Sequence, residues 1–496
     1  MNPSRIYVSD RAVKTITSLL TVPFFRKIGM NQVDKKIAEK MEAERRNGAP
    51  TKMLEDMGLM IHNMLLAVDR WLSNANVSKP AAKRLLRSFG AMMNKKNKPV
   101  VGAFEERHGY APPRFITISP TKKCNLSCIG CYAESDANCD VSLDFETVDR
   151  IVQQQKDLWG SHFTVISGGE PLAWKVNGKG ILDLVEKHPD TFFLMYTNGT
   201  MINREVANRM GELGNITPSI SVEGFEEETD WRRGKGVHKK ILRAYEYLRD
   251  AGVLYRMSIT ATKNNAETVF SDEFIDFYFK KWGVYYGWIF QYMPIGRAYS
   301  MELMPTAEQR FNMMRRMNQL IKDEGLFLAD FWNSGTLSNG CVSAGRKGGY
   351  IYINWDGDVT PCVFNPYSTD NIVDTYKAGG TIDNVIDSPF MKRIRSWQNE
   401  YYDHGGSEGD HGNMLAPCPM KDHHAEIRGI IEEVGAEPID DSAEEALHDR
   451  GYYEGMVRYG KEIESITRDV WEKEYLGKKK KKGEREDPNR TEGVTA

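Results

Sequence analysis

From Arg114 onward, short β-rich apolar runs alternate with amphipathic stretches of helical period. The runs are RFITISP (114–120), HFTVISGG (162–169), TFFLMYTNGT (191–200), ITPSISVEG (216–224), YRMSITAT (255–262) and YYGWIFQYMP (285–294). Between them lie patterns such as LDFETVDRIVQQQKDLW and VHKKILRAYEYLRDAG, with apolar residues recurring every three or four positions. Strands that alternate with helices pair in parallel through right-handed crossovers. Six such units predict an α/β fold, a partial (β/α)6 TIM-like barrel, because eight are needed to close the full one. Chemistry is then expected at the C-terminal ends of the strands.

Residues 1–110 read as a helical N-terminal region without a convincing strand. Met57, Met60, Ile61, Met64, Leu65, Val68, Trp71 and Leu72 fall on one helical face. Between Lys79 and Lys98 there are seven basic residues and no acidic one, with Leu85, Leu86, Phe89 and Met92 interleaved. Two readings stand: an amphipathic surface for anionic lipid, or the solvated basic face of a packed helix. The barrel is expected over 111–300, a connecting helix over 301–335, and a glycine-rich unit over 336–430. Residues 431–496 read as a helical extension ending in a disordered basic tail, GKKKKKGERED.

Thr15 to Phe25 is free of charge but too short to span a bilayer, and no cleavage site follows it. A cytoplasmic protein is expected, touching at most the inner face of a membrane. A net charge of −3 gives no reason to expect a nucleic-acid partner.

The seven cysteines are odd in number and fall in two groups, which suits metal binding in a reducing compartment rather than a disulfide framework. Cys124, Cys128 and Cys131 lie within eight residues, in the loop after the first predicted strand. A structural zinc would want a fourth nitrogen or sulfur. A four-iron cube held by three thiolates leaves one iron open to another ligand. Ser167–Gly168–Gly169–Glu170–Pro171 ends the second strand, where two glycines let a ligand approach the backbone.

C-x3-C-x2-C followed by GGE on the next strand resembles the radical S-adenosylmethionine (SAM) superfamily. That resemblance implies a [4Fe–4S] cluster on Cys124, Cys128 and Cys131, its open iron chelated by SAM. It implies reductive cleavage of SAM to a 5′-deoxyadenosyl radical, which activates a C–H bond of an organic substrate. Gly168, Gly169 and Glu170 would receive the methionine ammonium. Ser221 and Glu223, in SVEG, match the ribose-holding segment, although Asp is commoner than Glu there. Arg233 would face the cofactor carboxylate or form a structural salt bridge. The aromatic usual before the third cysteine is replaced by Gly130, which leaves Tyr132 as the candidate for the adenine side.

Cys341 and Cys362 flank a strand–turn–strand pattern, YIYINWDGDV, and Cys418 follows in APCPMKDHH. This resembles SPASM and twitch domains and implies one auxiliary cluster, its fourth iron open or capped by Asp422, His423 or His424. Cys139 is left as a structural thiol, and Arg297, in YMPIGRA, is expected at the barrel mouth. A lipid or other hydrophobic substrate is favoured over a peptide or a cofactor precursor, and a non-catalytic electron carrier is the rival reading. A reduced flavodoxin or ferredoxin-type protein is the expected electron donor.

Overall fold

The computed structural model describes residues 22–46, 49–92, 94–402 and 412–478. Most of the uncharged N-terminal stretch and the lysine-rich tail lie outside the described residues.

All six expected strands form: β1 (Phe115–Ile118), β2 (Phe163–Ile166), β3 (Phe192–Thr197), β4 (Ile216–Val222), β5 (Arg256–Ala261) and β6 (Gly287–Gln291). They pair in parallel in chain order. Two further strands extend the row. The seventh, β7 (Leu328–Asp330), adds to β6, and β8 (Tyr350–Ile353) adds in parallel to β1. The hairpin read as part of a separate unit therefore begins inside the barrel's own sheet. Tyr350, Ile351, Tyr352 and Ile353 are all buried, as an unbroken apolar run in a parallel strand requires. A turn at Gly357, with φ +91°, leads into antiparallel β9 (Asp358–Thr360), and β10 (Asp370–Asn371) ends the row. The sheet stays open, with β7 and β10 at its edges.

Helices cover the outer face. α5 (Phe145–Trp159) starts where the Asp144 carboxylate accepts the Thr147 N–H, and it stops at Gly160. Alternation along the strands separates the outer layer from the lumen. Met195, Ile220 and Met257 face the helices and are fully buried, whereas Tyr196, Ser221, Thr260, Trp288 and Phe290 stay partly exposed. A partly exposed side chain in the middle of a sheet means that the lumen is open.

The N-terminal region is helical, as the periodicity predicts: α1 (Pro23–Arg46), α2 (Thr51–Leu72), α3 (Lys79–Met92) and α4 (Asn97–His108). It is packed on the barrel. Trp71 of α2 donates its indole N–H to the Gly252 carbonyl at 3.0 Å. Asn63 donates to the carbonyls of Ile321 and Leu326. On α3, Leu85 is fully buried and the Phe89 ring lies 4.5 Å from that of Phe192. Arg84 and Arg87 face solvent. The apolar side chains that a lipid surface would have to receive are thus already covered by protein, which favours the solvated basic face of a packed helix. No described helix is long and apolar enough to cross a membrane.

Replacing Leu85 with Ala should lower stability by about 2–5 kcal/mol, read as a shift in the urea midpoint of the whole chain. An unchanged midpoint would mean that α3 is not docked.

Candidate functional site

The three cysteines of the first group lie in the loop that leaves the C-terminal end of β1, with Cys124 and Cys128 buried and Cys131 half-buried. Backbone contacts fix that loop against the end of β2. Gly169 N–H donates to the Thr121 carbonyl at 2.9 Å, and Glu170 N–H donates to that of Lys123 at 2.8 Å. A Cβ on Gly169 would stand 2.2 Å from the Lys123 oxygen, and one on Gly168 would stand 2.7 Å from that of Thr121. Only glycine permits this approach, and Gly168 also needs its positive φ.

The polar side chains around the loop are densely paired. Glu170 is fully buried, and its carboxylate accepts from Leu172 N–H, from the Thr197 hydroxyl and from Asn198 N–H. Burial raises its pKa, while the Asn198, Thr197 and Leu172 donors pull it down. Asn198, which the motif reading passed over, reaches from the same turn to the Cys124 sulfur at 3.7 Å. Its signal was the polar TNGT that closes β3. Glu223 is likewise occupied, accepting from Arg232 and Arg233 at 2.7 Å each and from Thr260 N–H. Arg233 forms the expected salt bridge and at the same time points Nη1 at the Cys128 sulfur, 3.9 Å away. Its unexpected neighbour Arg232 donates to the Gly130 carbonyl. Ser221 shares a hydrogen bond with Ser258 on the lumen side.

Tyr132 places its hydroxyl 2.7 Å from Ser167 Oγ and accepts the Gly168 N–H. The glycine before the third cysteine has a partner. A Cβ on Gly130 would meet the Tyr292 ring at 2.5 Å, so an aromatic from the end of β6 fills that space. Arg297 is engaged with the cysteine loop. Its guanidinium donates to the carbonyls of Cys128 and Ser135 and to the Ser127 hydroxyl, which ties the cysteine loop to the end of β6. Cys139 sits against the Glu134 carbonyl and the Asp136 carboxylate, away from the trio's sulfurs in its hydrogen bonding.

The Cys124 thiol is pushed up to about 12, chiefly by burial, with the Leu126 N–H opposing the rise and charge on Glu170, Cys128 and Cys131 adding to it. Burial also raises Cys128, with Arg233 and Arg232 pulling the other way. The thiols thus sense one another. Yet among the described residues no three Cys, His, Asp or Glu side chains are gathered tightly enough for a single ion. A tetrahedral zinc would draw its sulfurs to about 3.8 Å of each other, given Zn–S near 2.3 Å. Three thiols on one loop, each within electrostatic reach of another, are the donor set that a [4Fe–4S] group takes, so the residues present fit that group.

The second trio lines one cavity with Phe331, Trp332 and Phe364. Cys362 accepts from the Tyr350 hydroxyl at 3.0 Å, and Cys341 donates to Ser343. Burial pushes Cys362 up to about 12 and raises both Cys341 and Cys418. None of the three proposed caps lines this cavity. Asp422 pairs with buried Arg310 and accepts the Cys418 N–H, so it holds the loop. His423 bonds the Ala416 carbonyl and packs on Tyr401, and His424 bonds the Met420 carbonyl. Phe364, two residues past Cys362, lies 5.8 Å from Phe290 and 6.2 Å from Tyr132 between ring centroids. The second cavity therefore backs onto the lumen.

Two substitutions separate the centres. Cys128→Ala should remove the iron of the first site, and Cys362→Ala that of the second, each lowering total iron by about half in proteins reconstituted side by side. Asp422→Ala should cost about 3–5 kcal/mol in urea unfolding, because it strands a buried guanidinium. Iron measurements on the folded variant should show the second centre depleted ahead of the first.

Comparison with known proteins adds independent findings. The family described as the radical SAM superfamily matches residues 118–268, and the iron–sulfur cluster-binding SPASM domain matches 341–406. The AdoMet-dependent heme synthase of Nitratidesulfovibrio vulgaris is 26% identical over 295 residues, covering 53% of this chain and 77% of its own length. Mycofactocin maturase MftC of Mycobacterium ulcerans is 28% identical over 313 residues, 59% of this chain and 79% of that one. Fe-coproporphyrin III synthase of Methanosarcina barkeri is 29% identical over 164 residues, and there the match spans 31% of this chain and only 38% of the relative. The cysteine loop, the glycine step, Cys341 and Cys362 fall inside matched segments, and Cys418 lies outside them. Residues 118–268 thus carry a radical SAM domain, and residues 341–406 carry a SPASM iron–sulfur cluster-binding domain.

Proposed function

We propose that this enzyme cleaves SAM reductively beside Cys124, Cys128 and Cys131 and directs the resulting radical at a C–H bond of a substrate held in the open lumen. The observation that carries this reading is the glycine step at 168–169, which seats the cysteine loop at the C-terminal ends of the strands, directly above that lumen. When bound there, a [4Fe–4S] cluster supplies the single electron that breaks the sulfonium C–S bond.

The chain's own residues divide into two roles. Gly168 and Gly169 present backbone to the methionine ammonium, Ser221 stands at the ribose side, and Tyr132 stands at the adenine side. Arg233 offers positive charge to the cofactor carboxylate from beside Cys128. Glu170 and Glu223, whose oxygens are already engaged, act by positioning these groups. A low-potential donor of flavodoxin or ferredoxin type feeds the first site. The second trio, backing onto the lumen through Phe364, holds an auxiliary cluster close to the substrate.

For the substrate we favour a cofactor precursor or peptide over a lipid. The relatives are named for heme, for Fe-coproporphyrin III and for the maturation of mycofactocin. The basic helix that suggested lipid keeps its apolar face against the barrel.

Anaerobically reconstituted protein, reduced with dithionite in the presence of SAM, should release 5′-deoxyadenosine measurable by liquid chromatography, and Cys128→Ala should fall to the protein-free level. Release from neither protein would favour an electron carrier and overturn the enzymatic reading.

A further inference from the structure

One row of the barrel lining holds a buried charge with no opposite charge. Tyr196 of β3 pairs in register with Ser219 of β4, and Ser219 with Arg256 of β5, so the three side chains share the lumen face. Arg256 is 1% exposed, and its guanidinium sits among the rings of Tyr196, Trp288 and Tyr286, at 5.0, 5.1 and 5.3 Å from their centroids. Such ring contacts ease the burial of a cation, and the Tyr196 side chain is also hydrogen-bonded to the guanidinium. Among the described residues, however, Nε and Nη2 have no hydrogen-bond partner, and neither has the hydroxyl of fully buried Ser219. The other buried arginines beside the lumen and the second cavity do have carboxylates: Arg232 and Arg233 share Glu223, and Arg310 has Asp422.

The two idle nitrogens are informative. Nε and Nη2 form one edge of the guanidinium, and their N–H bonds run parallel at the spacing of two oxygens on one carboxylate. A buried, charged donor pair left empty costs several kcal/mol; an anion entering from the lumen would offset that. Above this row, Trp288 and Phe290 are partly exposed on the lumen side beside the Ser221 and Ser258 hydroxyls, so the approach to Arg256 has an aromatic wall.

We propose that Arg256, with Ser219, forms an anion site in the lumen that anchors a carboxylate of the substrate, and that the rings above it hold an apolar or aromatic body. This assigns the substrate class and rests on the reading of the lumen as the substrate cavity. With the acid group fixed on β5, the rest of the substrate extends toward the C-terminal ends of the strands, where the first cysteine loop lies.

The test uses full-length reconstituted protein and 19F NMR with two probes, 4-fluorophenylacetate and its uncharged counterpart 4-fluorophenylacetamide. Wild type should bind the acid at least about tenfold more tightly than the amide, the factor expected of a charge-assisted hydrogen-bonded pair. In Arg256→Met the acid should fall to the level of the amide, and Arg256→Lys should restore part of the preference. Should Arg256→Met fail to fold, Ser219→Ala, which removes an unpartnered hydroxyl, decides instead by a several-fold loss for the acid alone. Equal binding of acid and amide by wild type, an acid preference that survives both substitutions, or displacement of the probe by inorganic phosphate but not by acetate would each overturn the proposal. Because probe binding is read without SAM cleavage, failure to form 5′-deoxyadenosine would count against the enzymatic reading alone.

Discussion

The geometry of the whole site depends on one close approach, that of the Gly168–Gly169 backbone to the carbonyls of Thr121 and Lys123. Two N–H donors cross this seam, and no room is left for a side chain on either glycine. The seam joins the end of β2 to the loop after β1, so the sulfurs of that loop are placed by main chain rather than by flexible side chains. A rigid sheet then fixes them relative to the lumen. Sites built on strand ends hold their geometry better than sites on free loops, and here the loop borrows that rigidity from its neighbour.

Around the seam, buried carboxylates act as connectors. Glu170 links β2 to the turn after β3, Glu223 links β4 to the two arginines and to β5, and Asp422 links the Cys418 loop to Arg310. Each is almost fully buried and multiply hydrogen-bonded, which is the condition under which a buried charge is tolerated. Arg297 performs the same service from the end of β6. Residues that by type look like ligands or acid–base groups thus also carry structural hydrogen bonds. Arg256 differs in that two nitrogens on one edge of its guanidinium have no hydrogen-bond partner among the described residues, and this is why its empty edge carries meaning.

The two cysteine groups are not independent modules. β8, the strand between Cys341 and Cys362, is hydrogen-bonded to β1, the strand that leads into the first trio. Phe364 then spans the ring contacts from Trp332 in the second cavity to Phe290 and Tyr132 by the lumen. The two cysteine groups are thereby tied to a single continuous sheet.

The order of strands and helices, the six barrel units, the first cysteine loop and the glycine step were legible in the sequence, because each rests on a local rule: periodicity, the need for close backbone approach, or the spacing of thiols within a few residues. What the sequence left open were matters of long-range pairing. That β8 joins the barrel, that Tyr292 fills the space over Gly130, and that Asp422 and Arg297 serve loops are contacts between residues far apart in the chain. The same holds for the basic face of α3, whose lipid reading and packed reading share one pattern until a partner such as Phe192 is seen against Phe89. Arg256 shows the limit most plainly: as one arginine in a strand it is unremarked, and only the closing curve of the sheet, which sets three rings about it and no carboxylate, makes it a site.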